Sequence, residues 1–220
     1  MSIQRVDLER ALLRYQYTSG PRDEQVEAMT FPGMAETFTR MTDARSGLPP
    51  TQHDYTVAVL YTLGLRRTPA IVGRIGRGWI SFVVQWHAYV TLNELLPLAI
   101  WDVRADTVFG VDLIAFDAAD PDAWVPVALA LRVPGVAGEQ YAARKNGRHR
   151  PHGLVVRELI CDPREHPVGP FWLISPERLA QTVRSGAEEA RTWAHRMGED
   201  EDVFWAGYHQ AERDALRAAP

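Results

Sequence analysis

Between Ala99 and Val133 the apolar residues fall into three short runs separated by polar or proline-containing breaks. The first is Ala-Ile-Trp-Asp-Val-Arg (99–104). Val-Phe-Gly-Val-Asp-Leu-Ile-Ala-Phe-Asp (108–117) is the second, and Trp-Val-Pro-Val-Ala-Leu-Ala-Leu-Arg-Val (124–133) the third. Short runs rich in β-branched and aromatic residues, with almost no polar alternation, predict strands covered on both faces. Residues 154–161 alternate enough to predict a further strand, and 171–179 a short strand entering a helix capped by Ser175 with Pro176 at its first position.

Elsewhere the spacing is helical. Ile3, Val6, Leu8, Leu12, Leu13 and Tyr15 among charges predict an amphipathic helix over 3–17, and a second helical stretch covers 23–45 with an interruption near Phe31-Pro32-Gly33. Gly47-Leu48-Pro49-Pro50 is a firm breaker. A capped helix then runs from Thr51 to Gly64, and another opens at Thr68-Pro69. From Trp79 to Leu96 apolar residues occupy nearly every side, the mark of a helix buried against other elements. Beyond Glu177 the chain is helical and charged. The expected division is a helical N-terminal region (1–68), an α/β core (69–180) and a helical tail (181–220).

Within this outline a few residues carry chemistry. Asp112 is a carboxylate in an otherwise apolar run, costly to bury without a partner. It is either a solvated or hydrogen-bonded residue at a strand end, or a metal ligand. The helices at 51–64 and 68 onward, joined by a short Gly-containing turn, have the outline of a helix-turn-helix. In that reading Arg66, Arg67, Arg74 and Arg77 face DNA; the alternative is an ordinary helical subdomain. Gly73, Gly76 and Gly78 look like a phosphate-binding turn, but no strand precedes them and no lysine follows, so a nucleotide fingerprint is rejected. The basic run 144–152, with Arg144, Lys145, Arg148 and Arg150, is the longest candidate phosphate-binding patch. His87 is expected to be a satisfied, partly buried histidine. The acidic run 199–202 is a solvated helix start, and the aromatics Phe204, Trp205 and Tyr208 beyond it are expected to dock on the core or on a second copy of the chain.

The strand Gly110-Val111-Asp112-Leu113-Ile114-Ala115-Phe116-Asp117, followed by the apolar strand at 127–133, resembles the PD-(D/E)XK, or restriction-endonuclease-like, nuclease superfamily. That family's core has a helix, a strand, a second strand carrying an Asp, a third carrying Glu-X-Lys, then a helix and further strands. The resemblance implies a mixed central sheet flanked by helices, with Asp112 as the metal-binding aspartate and Mg2+ as cofactor. The Glu-X-Lys positions hold Ala130-Leu131-Arg132, so the acid is missing and arginine stands for lysine. Glu139 and Lys145 on the following segment are the available substitutes, with Glu158 a third; otherwise that segment is a solvated helix face. On the preceding helix, where the family often carries a Glu, the candidates are Gln85 and His87. The implied function is a metal-dependent nuclease acting in DNA processing or repair, with Asp112, Glu139, Lys145 and Arg132 in the site. The alternative is an inactive nuclease fold that binds nucleic acid or a protein partner.

Composition narrows this only a little. At 220 residues, 46% hydrophobic and 24% charged, the chain suits one sizeable core. A net charge of −4 argues against a protein that coats nucleic acid along its whole surface. The lone cysteine, Cys161, excludes an internal disulfide framework and a Cys-rich zinc site. Only one of the 24 basic residues is Lys, a usage associated with GC-rich bacterial genomes. No signal peptide or membrane-length apolar run is evident, so cytoplasmic residence is the default expectation.

Overall fold

A computed structural model describes residues 3–29, 31, 33–101, 111–120, 123–134 and 154–197. Five helices come first: α1 (Arg5–Leu12), α2 (Glu24–Ala28), α3 (Met34–Asp43), α4 (Gln52–Thr62) and α5 (Pro69–Leu95). The strands β1 (Leu98–Ile100), β2 (Leu113–Asp120), β3 (Ala123–Arg132) and β4 (Val155–Ile160) follow, then β5 (His166–Val168), β6 (Phe171–Leu173) and helix α6 (Pro176–Met197).

The first four strands form one mixed sheet in the order β1-β2-β3-β4. β1 and β2 pair antiparallel with Ala99 opposite Ala115, β2 and β3 antiparallel with Leu113 opposite Leu129, and β3 and β4 parallel with Leu131 beside Leu159. β5 and β6 make a separate antiparallel pair. Pro126 is tolerated in β3 because it lies opposite Phe116 of β2 at a point where β4, which joins at Val127, has not yet begun. Both faces of the central strands are buried, as the apolar runs predict. Leu113, Ala115, Val127, Leu129 and Leu131 join the main core, while Val111, Ile114, Phe116, Ala128 and Leu154 form a second cluster on the other face.

The helix expected from Trp79 begins ten residues earlier and is continuous with the one opening at Thr68. Thr68 accepts the Ile71 N–H at 3.2 Å with Pro69 at the first position, and the helix runs 27 residues to Leu95. Its three glycines are places of close approach rather than a phosphate turn. A Cβ at Gly73 would lie 2.8 Å from the Pro21 carbonyl oxygen, one at Gly76 would strike the Gln52 amide, and one at Gly78 would strike the Met34 methyl. On the same helix Trp79 and Trp86 donate their indole N–H groups to the carbonyls of Pro50 and Gly47, each at 2.9 Å. The breaker segment 47–50 thus has two of its carbonyls satisfied by two side chains one heptad apart. On the sheet side, α6 is held by Arg191 to Asp117 at 2.8 Å and by Arg157 to Glu189 at 2.5 Å, and Gly186 lets it sit against Val127 and Val155. α5 and α6 therefore share one face of the sheet.

Candidate functional site

Asp112 occupies a bend immediately before β2, the hydrogen-bonded strand-end position of the first of its two readings. Its backbone N–H still reaches the Leu129 carbonyl at 2.8 Å, which ties the bend to β3. The side chain is 2% exposed. Oδ2 accepts the Leu131 backbone N–H at 2.6 Å and Oδ1 accepts the Gln85 amide Nε2 at 2.9 Å. Gln85 comes from α5, and its own Oε1 accepts the Trp101 indole N–H at 3.2 Å. An acceptor on one side and a donor on the other fix which way the Gln85 amide faces.

The structure corrects the placement of Arg132. A strand alternates its side chains, so Val127, Leu129 and Leu131, which join the core with α5, put Arg132 on the opposite face with Ala128 and Ala130. There its guanidinium pairs with Glu158 of β4 at 2.7 Å. The α5 face of β3, next to Asp112, carries only aliphatic side chains at 127, 129 and 131. Glu158, committed to Arg132, is on that other face as well. Glu139, Lys145, Arg144, Arg148 and Arg150 lie outside the described residues, as do the aromatics at 204–208.

Mg2+ is a poor match to the hydrogen-bond donors that Asp112 meets among the described residues. A hard divalent cation needs several oxygen ligands, usually more than one carboxylate. Among the described residues Asp112 meets an amide N–H and a backbone N–H, both of which present positive hydrogen to the carboxylate where a cation would have to sit. The α5 face of β3 beside it offers no second acid at 127, 129 or 131.

Two of the four arginines assigned to a DNA-facing helix are also corrected. Arg77 is 3% exposed and donates to the Gly20 carbonyl at 3.0 Å and to Glu27. Arg74 lies 3.8 Å from the same Glu27. Both fasten α5 to the segment leading into α2, because the glycine at position 73 brings that segment close enough to offer its carbonyls. Arg66 and Arg67 are exposed in the link between α4 and α5, and Tyr61 at the end of α4 is 89% exposed beside them in sequence.

A second cluster is one that sequence reasoning did not assemble. His87 of α5 and His166 of β5 both direct Nε2 at the same oxygen of Glu9 in α1, at 2.9 and 3.0 Å. Arg5 Nη1 reaches that oxygen at 2.9 Å. The His87 hydrogen bond, aided by those from His166 and Arg5, outweighs burial and holds the Glu9 carboxyl down at about 2. Burial pushes His87 below the usual imidazole range despite the pull of Glu9. His87 was legible as a buried, satisfied histidine; its partners, from α1 and β5, were not.

No helix among the described residues is long and apolar enough to cross a membrane. Comparison with family models, with curated proteins and with solved structures returns no match.

Proposed function

We propose that this chain is a restriction-endonuclease-like protein that binds nucleic acid without cutting it. The observation that carries the reading is the state of Asp112: its carboxylate accepts N–H groups from Gln85 and Leu131, and the positions beside it that correspond to the family's acid and lysine hold Ala130 and an Arg132 paired with Glu158. The element order also supports a nuclease-like ancestry, since a long helix precedes two antiparallel pairings and a parallel fourth strand. Retention of the buried carboxylate then follows from its role as the acceptor that joins α5, β2 and β3.

Binding falls to the exposed cations. Arg66 and Arg67 follow Tyr61 by five and six residues, all three are exposed, and an aromatic with guanidinium groups suits stacking on unpaired bases with phosphate neutralisation. The basic run 144–152 extends the available positive charge.

The test is fluorescence anisotropy with labelled single-stranded, duplex and branched oligonucleotides over a salt series, run beside a cleavage assay in Mg2+ and Mn2+. Binding is expected to weaken steeply with salt, with no cleavage. Reversing Arg66 and Arg67 to Glu should lower the salt slope by about two, roughly one per lost phosphate contact, while Asp112→Asn leaves affinity unchanged. Cleavage that disappears in Asp112→Asn, or absence of any salt-dependent binding, refutes the proposal.

A further inference from the structure

The Glu9, His87 and His166 cluster lies on the far side of α5 from Asp112. Gln85 and His87 are two positions apart on one helix, about 200° around its axis, so when Gln85 faces the sheet His87 faces α1. We propose that Glu9, His87 and His166 form a site for a divalent late first-row transition ion, Zn2+ foremost, that ties α1, α5 and the β5–β6 pair together.

Geometry and donor chemistry both support this. Three ligand atoms, one from each residue, lie within 4.8 Å of one another. The Nε2–Oε1 separations are 2.9 and 3.0 Å. Bonds of about 2.0–2.1 Å from Zn2+ to imidazole nitrogen and carboxylate oxygen set tetrahedral ligand edges near 3.3 Å, so each Nε2–Oε1 edge needs to lengthen by only a few tenths of an ångström. Two imidazoles and one carboxylate form a borderline donor set that favours Zn2+ and its neighbours over Mg2+ or Ca2+, which take oxygen. His87 is 1% exposed, and the Glu9 and His166 side chains are 18% and 25% exposed. That places one ligand deep and two near solvent.

Without metal, each imidazole that donates from Nε2 spends its hydrogen on Glu9. Metal binding moves that hydrogen to Nδ1 through solvent and frees the Nε2 lone pair, so a neutral imidazole changes tautomer with no net proton release. Arg5, already on the Glu9 carboxylate, stays as the outer partner that orients it. The three ligands come from segments far apart in sequence, so occupancy cross-links the N-terminal helix to the strand pair.

The experiment uses the full chain, stripped with chelator and titrated with Co2+ and then Zn2+. One equivalent of Co2+ should give visible d–d absorption of a four- or five-coordinate site, which Zn2+ then bleaches. Zn2+ should raise the melting temperature of the wild type by several degrees and leave His166→Ala unmoved, with metal affinity falling at least tenfold in that variant. His166 is partly exposed, so the fold should survive; far-UV circular dichroism of the metal-free variant checks this, and Glu9→Gln provides the same readout should His166→Ala not fold. A wild-type chain that takes up neither ion, or one-to-one binding of unchanged affinity in a folded variant, overturns the site.

Discussion

Removing the Asp112 carboxylate is the perturbation whose cost follows most directly from the geometry. Asp112→Ala leaves the Gln85 Nε2 and the Leu131 N–H buried with no acceptor from this side chain. Each such orphan costs about 1–3 kcal/mol, and a water entering the vacated space offsets part of it, so the net loss is about 2–4 kcal/mol. For a chain of this size that corresponds to a fall in melting temperature of roughly 5–15 °C. Gln85→Leu alone is also costly, because it strips Asp112 of a donor and leaves the Trp101 indole N–H without its acceptor. In the double variant the Asp112–Gln85 mismatch disappears, so the two losses should fall short of additive by about 1 kcal/mol or more. Urea unfolding followed by tryptophan fluorescence on all four proteins measures the cycle. Additive losses, or an Asp112→Ala variant more stable than wild type, would refute the reasoning. A gain in stability is what results when a carboxylate is kept ready for a cation at the expense of the fold.

Other predictions rest on separate contacts. Gly73→Ala should destabilise by about 1–3 kcal/mol, read by the same denaturation assay, because its Cβ meets backbone atoms of Gly20 and Pro21 that have no rotamer to give. Glu27→Gln keeps an acceptor but removes the negative charge opposite the buried Arg77 guanidinium and should cost about 1–3 kcal/mol, whereas Arg66→Gln on the surface stays within about 0.5 kcal/mol. Cys161 is buried and burial pushes its thiol up to about 12, so a thiol-specific dye should not label it until the chain unfolds. Burial alone would raise the Glu165 carboxyl, but the Ser175 N–H and Arg178 hold it below its ordinary value. Its contribution is therefore present above the unfolded carboxyl range and lost as pH falls through the lowered value; Glu165→Gln should flatten that acid limb in melting curves taken between neutral pH and acid.

Local chemistry made several elements legible. Thr68-Pro69 marks the start of α5 because a hydroxyl cap and a fixed φ serve the first turn whatever packs beyond it. The runs at 108–117 and 124–133 read as central strands because both their faces are covered. That same property hid the side on which each residue points. A strand apolar at every position has no alternation to set its phase, so the face taken by Arg132 could not be read from it. Gly73, Gly76 and Gly78 look like a Gly-rich turn until the segments they admit are known. The Glu9, His87 and His166 cluster was out of reach for a simpler reason: its members stand on three elements with no spacing rule between them.

The long helix α5 has a practical consequence. Ile75, Trp79, Val83 and Trp86 belong to the same core as Leu8, Leu12, Phe38 and Tyr55 on one side and Leu113, Val127 and Leu129 on the other. A fragment beginning at Pro69 would expose a broad greasy surface to water, so the strand-bearing half cannot be excised as a portable module. Limited proteolysis of the native chain should accordingly spare α5, and both nicking and insertion are best tolerated at the exposed link near Arg66 rather than within the helix.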